Sequence, residues 1–122
     1  MLYDDSIVYI CAPKKYHSGG PELLHQLGSL LISFGVNAFM YYGSLTDGED
    51  PVDELYKWYK VPYTDNIIDS EHNYIIVPET MTQVLYEKNV GKLQKILWWL
   101  SVDNFLKFIE YKNYNWHGDK ID

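Results

Sequence analysis

Residues 7–35 constrain the fold more than any other stretch of this chain. Ile7-Val8-Tyr9-Ile10-Cys11-Ala12 is apolar and rich in β-branched residues without alternation, the pattern of a strand buried on both faces in a parallel sheet. Pro13 closes it, and the polar loop from Lys14 to Gly20 ends on paired glycines. Pro21 then stands where a helix can begin, because its missing N–H and fixed φ cost nothing in a first helical turn. Leu23, Leu24, Leu27, Leu30, Leu31 and Phe34 recur at helical spacing, and Gly35 is placed to stop the helix. A strand, a glycine loop and a helix form the first half of a β-α-β unit, which commits the next strand to parallel pairing.

The rest of the chain follows that lead. Asn37-Ala38-Phe39-Met40-Tyr41-Tyr42 reads as the second strand, ended by Gly43-Ser44. Residues 45–51, rich in Asp, Gly and Glu, read as a solvated surface loop without calcium-loop spacing. Residues 52–59 read as a short helix with Leu55, Tyr56 and Tyr59 turned inward, limited by Pro62. Residues 66–68 read as a brief strand, and Tyr74-Ile75-Ile76-Val77 as a firmer one ended by Pro78-Glu79-Thr80. Met81, Val84 and Leu85 mark a helix over 80–87. Lys95-Ile96-Leu97-Trp98-Trp99-Leu100 returns as a fourth main strand, with one indole on each face. A closing helix over 102–111 carries Phe105, Phe108 and Ile109 on one side, and residues 112–122 read as an irregular tail. The expectation is one α/β domain over 1–122, a three-layer Rossmann-like unit with a mainly parallel sheet.

Composition narrows the class. Hydrophobic residues at 47% and aromatics at 16%, with 12 Tyr and 4 Trp, fill one core and leave rings for surfaces. Ten Lys and Arg against 17 Asp and Glu give a net charge of −7, which disfavours nucleic acid and anionic lipid as partners. The single cysteine, Cys11, rules out an intrachain disulfide and a thiolate metal cluster and reads as a buried apolar thiol. No apolar run approaches the roughly 20 residues of a membrane span. These features point to a cytoplasmic domain without a transmembrane segment.

In open parallel sheets, ligands bind beyond the carboxyl ends of the strands, where loop backbones and helix N-termini converge. The loops at Lys14 to Gly20, Gly43-Ser44, Glu79-Thr80 and Ser101, Asp103, Asn104 are expected to share that rim. The Gly19-Gly20-Pro21 turn offers N–H groups suited to an anion. Neither G-x-G-x-x-G nor G-x-x-x-x-G-K-[ST] is present, which disfavours a nicotinamide dinucleotide site and a P-loop. His17 is a candidate general base or sugar-hydroxyl partner, set against a solvated loop histidine. His25, two residues before Leu27 on the helix, reads as pointing along the surface or capping a contact. Glu79 and Asp103 are candidate hydroxyl ligands, set against helix caps. A receiver-like signalling domain is disfavoured, because Cys11 and Ala12 end the first strand where acidic residues would be needed.

Three segments in order, His17-Ser18-Gly19-Gly20-Pro21-Glu22-Leu23-Leu24-His25-Gln26-Leu27, Ile76-Val77-Pro78-Glu79 and Trp98-Trp99-Leu100-Ser101-Val102-Asp103-Asn104, resemble the N-terminal domain of bacterial GT-B glycosyltransferases. Those enzymes build capsule, O-antigen and other surface polysaccharide from nucleotide sugars. The resemblance implies two Rossmann-like domains across a cleft, the N-terminal one recognising the acceptor and the C-terminal one holding the donor. Gly19-Gly20 match the family's glycine loop. On this basis His17 is the expected catalytic residue, and Ser18, Gly19, Gly20, Glu79, Asp103 and Asn104 are the expected substrate-binding residues, with no metal and no cofactor beyond the nucleotide-sugar substrate. The implied partners are an acceptor glycan or lipid-linked sugar, met at the inner face of the membrane, and a donor-binding domain or subunit. Such an enzyme needs roughly two to three times this length, so the chain alone is expected to be inactive. Self-association through the exposed rim or the 108–116 aromatic segment is compatible with an isolated half. The alternative is a non-catalytic module that binds a glycan or a partner protein.

Overall fold

The structure, a computed structural model, describes residues 2–14 and 19–98. The element order is β1 (Ile7–Cys11), α1 (Gly19–Ser33), β2 (Asn37–Tyr41), a 3-10 helix (Glu54–Tyr59), β3 (Tyr74–Pro78), further 3-10 helices (Glu79–Tyr86 and Lys88–Val90) and β4 (Gln94–Trp98). The four strands form one sheet in the order β2-β1-β3-β4, every pair parallel. Ile7 lies beside Asn37, Val8 beside Tyr74, and Ile76 beside Ile96. The chain is therefore an α/β fold with an all-parallel sheet, as the non-alternating apolar runs require.

Each strand sends alternate residues to opposite faces, and each face has its own core. On one side Val8, Ile10, Ala12, Ala38, Met40 and Tyr42 meet Leu24 of α1 and Tyr56 of the first 3-10 helix. On the other Tyr9, Cys11, Tyr41, Ile75 and Val77 meet Ile67, Val84, Val90 and Leu93. Cys11 is fully buried there, and desolvation, with a smaller push from Glu87, raises its thiol pKa to about 12. This is the inert core thiol expected from its place in the strand.

Helix α1 ends through a Schellman motif. Val36 N–H donates to the Leu31 carbonyl at 3.0 Å, and Gly35 N–H donates to the Ile32 carbonyl at 2.9 Å. Gly35 holds φ at +83°, which a side chain would oppose. The Val36 and Leu31 side chains join the same core, supplying the apolar contact that accompanies this motif.

The connection from β2 to β3 departs from expectation in two places. The helix near 52–59 is of the 3-10 type, so residues three apart share a face. Tyr56 is buried with Tyr59 half-buried behind it, while Leu55, expected inward, is 60% exposed. The brief strand expected at 66–68 is absent. The chain pairs slightly earlier, where Met40 N–H donates to the Pro62 carbonyl at 2.8 Å and Thr64 N–H donates to the Met40 carbonyl at 3.0 Å. That bridge covers the outer edge of β2. The chain then passes to the opposite face, where Ile67 is buried and Ile68 N–H donates to the Tyr9 hydroxyl at 2.9 Å. The helix expected over 80–87 is a 3-10 segment kinked at Met81, with Val84 as its buried residue. The closing helix over 102–111 and the tail lie outside the described residues. Among those described, no helix is long and apolar enough to cross a membrane.

Candidate functional site

The strand order reverses between β1 and β3, the topological position beyond whose carboxyl ends open parallel sheets hold ligands. Gly19 and Gly20 are the first residues of α1, following the β1 exit. Glu79 opens the 3-10 helix directly after β3, half-exposed. Gly19 and Gly20 thus open the helix that follows β1, and Glu79 opens the segment that follows the neighbouring β3. His17, Ser18, Asp103 and Asn104 lie outside the described residues. Glu79 does not act as a helix cap: it is the first residue of the 3-10 segment, whose N-cap position is Pro78.

A broad concavity lies on the α1 side of the sheet, next to the β2 exit. It is a cleft of about 870 Å³ between α1, the 48–52 loop, the 3-10 helix Glu54–Tyr59 and residues 60–63. The loop read as plain surface is one wall of it. Thr46 donates to Glu49 Oε1 from its N–H at 3.0 Å and its hydroxyl at 3.2 Å, and Lys14 Nζ reaches Glu49 Oε2 at 3.0 Å. The Thr46 bonds, then Lys14, hold the Glu49 carboxyl below its usual range, so it faces the cleft ionised. Because Lys14 follows β1, this ion pair ties the loop to the β1 exit. Val52 and Pro51 anchor the other end of the loop in the core.

The second wall is the 3-10 helix. Asp53 caps it by accepting from Leu55 N–H at 2.9 Å. Lys57 donates to Asp50 and, at 2.8 Å, to Glu54, and these hydrogen bonds raise its pKa. Lys60 ends the helix with φ at +58°, the one described non-glycine residue with positive φ, and lies at the cleft. Tyr63 adds a ring that is 41% exposed and meets Tyr42 edge-on, centroids 6.1 Å apart.

Under the cleft floor sits a polar network that the sequence did not reveal. His25 is only 2% exposed, although its place on α1 reads as surface. Its Nδ1 lies 2.7 Å from the Pro21 carbonyl, which only accepts, so Nδ1 carries the proton. Its Nε2, 2.6 Å from the Tyr42 hydroxyl, therefore accepts. The ring stacks on Tyr56 with centroids 4.7 Å apart. Burial lowers the His25 pKa against the opposing effects of the Pro21 bond and Asp53, and burial raises that of Tyr42. Both groups are held neutral, with both imidazole nitrogens engaged. The pair fixes α1 to the end of β2 and is not a free general base.

The arrangement offers fixed carboxylates, lysine ammonium groups and a tyrosine ring around an open concavity, a set suited to a polyhydroxylated ligand. Among the described residues, no group of three His, Cys, Asp or Glu side chains is placed to hold a metal ion. Comparison with protein-family models, curated proteins and solved structures gives no match to this chain.

Proposed function

We propose that this chain is the acceptor-binding half of a nucleotide-sugar-dependent glycosyltransferase, a Rossmann-like three-layer unit whose cleft beside the β2 exit holds the acceptor. The observation that carries this reading is the cleft lining. A sugar offers several hydroxyls and an apolar C–H face; Glu49, Asp50, Lys57 and Lys60 meet the first, and the exposed Tyr63 ring meets the second. The acceptor class, a glycan or lipid-linked sugar of surface-polysaccharide biosynthesis, rests on the three-segment resemblance.

Transfer joins the anomeric carbon of the donor sugar to the acceptor oxygen, with the nucleoside diphosphate leaving and the hydroxyl proton going to a base. Positioning and stabilisation of the leaving phosphate carry most of such a reaction. The cleft described here supplies positioning of the acceptor. Among the described residues its one histidine is committed to Pro21 and Tyr42, so the reading assigns the base and the phosphate contacts to His17 and to a donor-binding half. The same commitment of His25 supports the second reading, a non-catalytic glycan-binding module.

The test is equilibrium binding of labelled acceptor oligosaccharides to the 122-residue chain, together with turnover assays against UDP-, GDP- and dTDP-sugars. Saturable binding without turnover is expected, and Tyr63→Ala should weaken binding by about tenfold, the loss of roughly 1.4 kcal/mol of ring contact. Absence of saturable binding, or unchanged affinity in Tyr63→Ala, overturns the acceptor site. Turnover by the chain alone would place the donor site within it.

A further inference from the structure

The two faces of the sheet are unequally covered. On the α1 side, α1 packs over β2 and β1, while β3 and β4 leave an apolar groove of about 320 Å³ walled by Leu27 and Leu31 of α1 and floored by Val8, Tyr74, Ile76 and Ile96. Ile96, in mid-strand and paired with Ile76, is 44% exposed. A parallel sheet is expected to be covered on both faces, and here an aliphatic trough runs along the strands beside α1.

We propose that the chain's own segment 102–111 occupies this groove as a helix parallel to α1. Three observations select that occupant. The spacing of Val102, Phe105, Phe108 and Ile109 predicts one apolar helical face, with Lys107 and Glu110 off it. The three residues between Trp98 and Val102 reach about 10 Å when extended, about one layer spacing. Ten helical residues then rise about 15 Å, close to the roughly 16 Å of a five-residue strand, so the helix returns along β3 and β4 without overshooting. It starts at the carboxyl edge, as α1 does, which sets Phe105 against Ile76 and Ile96 and sets Ile109 near Leu31. The inference is independent of the acceptor reading, because the groove and the cleft lie on different sides of α1.

The full 122-residue chain with Ile and Leu methyl labels and protonated phenylalanine rings tests this by nuclear Overhauser contacts and by relaxation from a soluble gadolinium chelate. The expected result is contact from Phe105 or Phe108 to the Ile76, Ile96 or Leu31 methyls, which are shielded from the chelate. In a Phe105→Asp, Phe108→Asp variant that shielding is lost while Ile10 and Ile75 stay protected, showing that the sheet is intact. Groove methyls relaxed as strongly as those of the exposed Leu30 and Ile32 in the unmodified chain overturn the proposal. So do contacts that appear only between differently labelled chains, which make a second copy the occupant. The contacts in the unmodified chain decide the matter if the double variant does not fold.

Discussion

Replacing Tyr42 by Phe removes one hydroxyl and nothing else from the core, which makes it a clean probe of the buried network. The ring stays beside Ile10 and Met40 in the same core cluster, so no cavity forms. What is lost is the 2.6 Å bond to His25 Nε2, leaving a buried acceptor without its donor. An orphaned buried polar atom costs about 1–3 kcal/mol, which for a domain of this size lowers Tm by roughly 3–5 °C for each kcal/mol. His25→Phe combined with Tyr42→Phe should cost less than the sum of the single changes, because no polar partner is stranded. The pH dependence gives a second readout. The folded pKa of His25 is lowered by burial, so the unfolded chain binds its proton first. The associated stability is fully present above the unfolded value of about 6.5 and is lost as pH falls through the folded value. In Tyr42→Phe the neutral ring loses its donor, the folded value moves back toward the ordinary one, and the loss of stability below about pH 6.5 becomes shallower. Urea unfolding followed by circular dichroism, from pH 8 down to pH 5, measures both effects. A Tyr42→Phe chain as stable as the parent with the same pH slope would refute the network.

Other outcomes follow from the same structure. Cys11, fully buried with its pKa raised to about 12, should resist a disulfide thiol reagent at pH 8 in the folded chain and react once in urea; fast labelling of the native chain would show that the sheet opens. A Cβ on Gly28 would lie 2.9 Å from Val61 Cγ1 and 3.4 Å from Ile10 Cδ1, so Gly28→Leu should destabilise by about 1–3 kcal/mol in urea unfolding despite its better helix propensity. Lys60 holds a backbone conformation that costs a side-chain-bearing residue about 1–2 kcal/mol; Lys60→Gly should therefore be no less stable than the parent while binding acceptor oligosaccharide more weakly. Loss of stability in that variant would indicate that the lysine side chain holds the helix end.

The parallel sheet was legible because β1, β2 and β3 are largely buried and so read as unbroken apolar runs. β1, β2 and β3 match their expected spans to within a residue, and Gly35 marked the end of α1. β4 was placed over 95–100 and is described over Gln94–Trp98. The 3-10 segments were less legible, because their threefold period brings Tyr56 and Tyr59 together and turns Leu55 out, contrary to an α-helical reading. His25 was misread for a different reason. Its burial depends on a hydroxyl 17 residues away at the end of β2 and on a ring from the 3-10 helix, neither of which is visible in helical periodicity. The acidic stretch 45–51 likewise looked like plain surface, because the lysines that pair with it come from the β1 exit and from the next helix. Of the residues expected to bind substrate, Gly19 and Gly20 open α1 and Glu79 follows β3. The cleft walls came from segments whose sequence carried no comparable signal.

The central claim is that the cleft beside the β2 exit binds a sugar acceptor, and a titration of the nitrogen-15-labelled chain with acceptor oligosaccharide, followed by amide shifts, tests it most directly. Saturable shifts concentrated at Glu49, Asp50, Lys60 and Tyr63, and diminished in Tyr63→Ala, are predicted. Shifts confined to the opposite face around Val84 and Val90, or none that saturate, would contradict it.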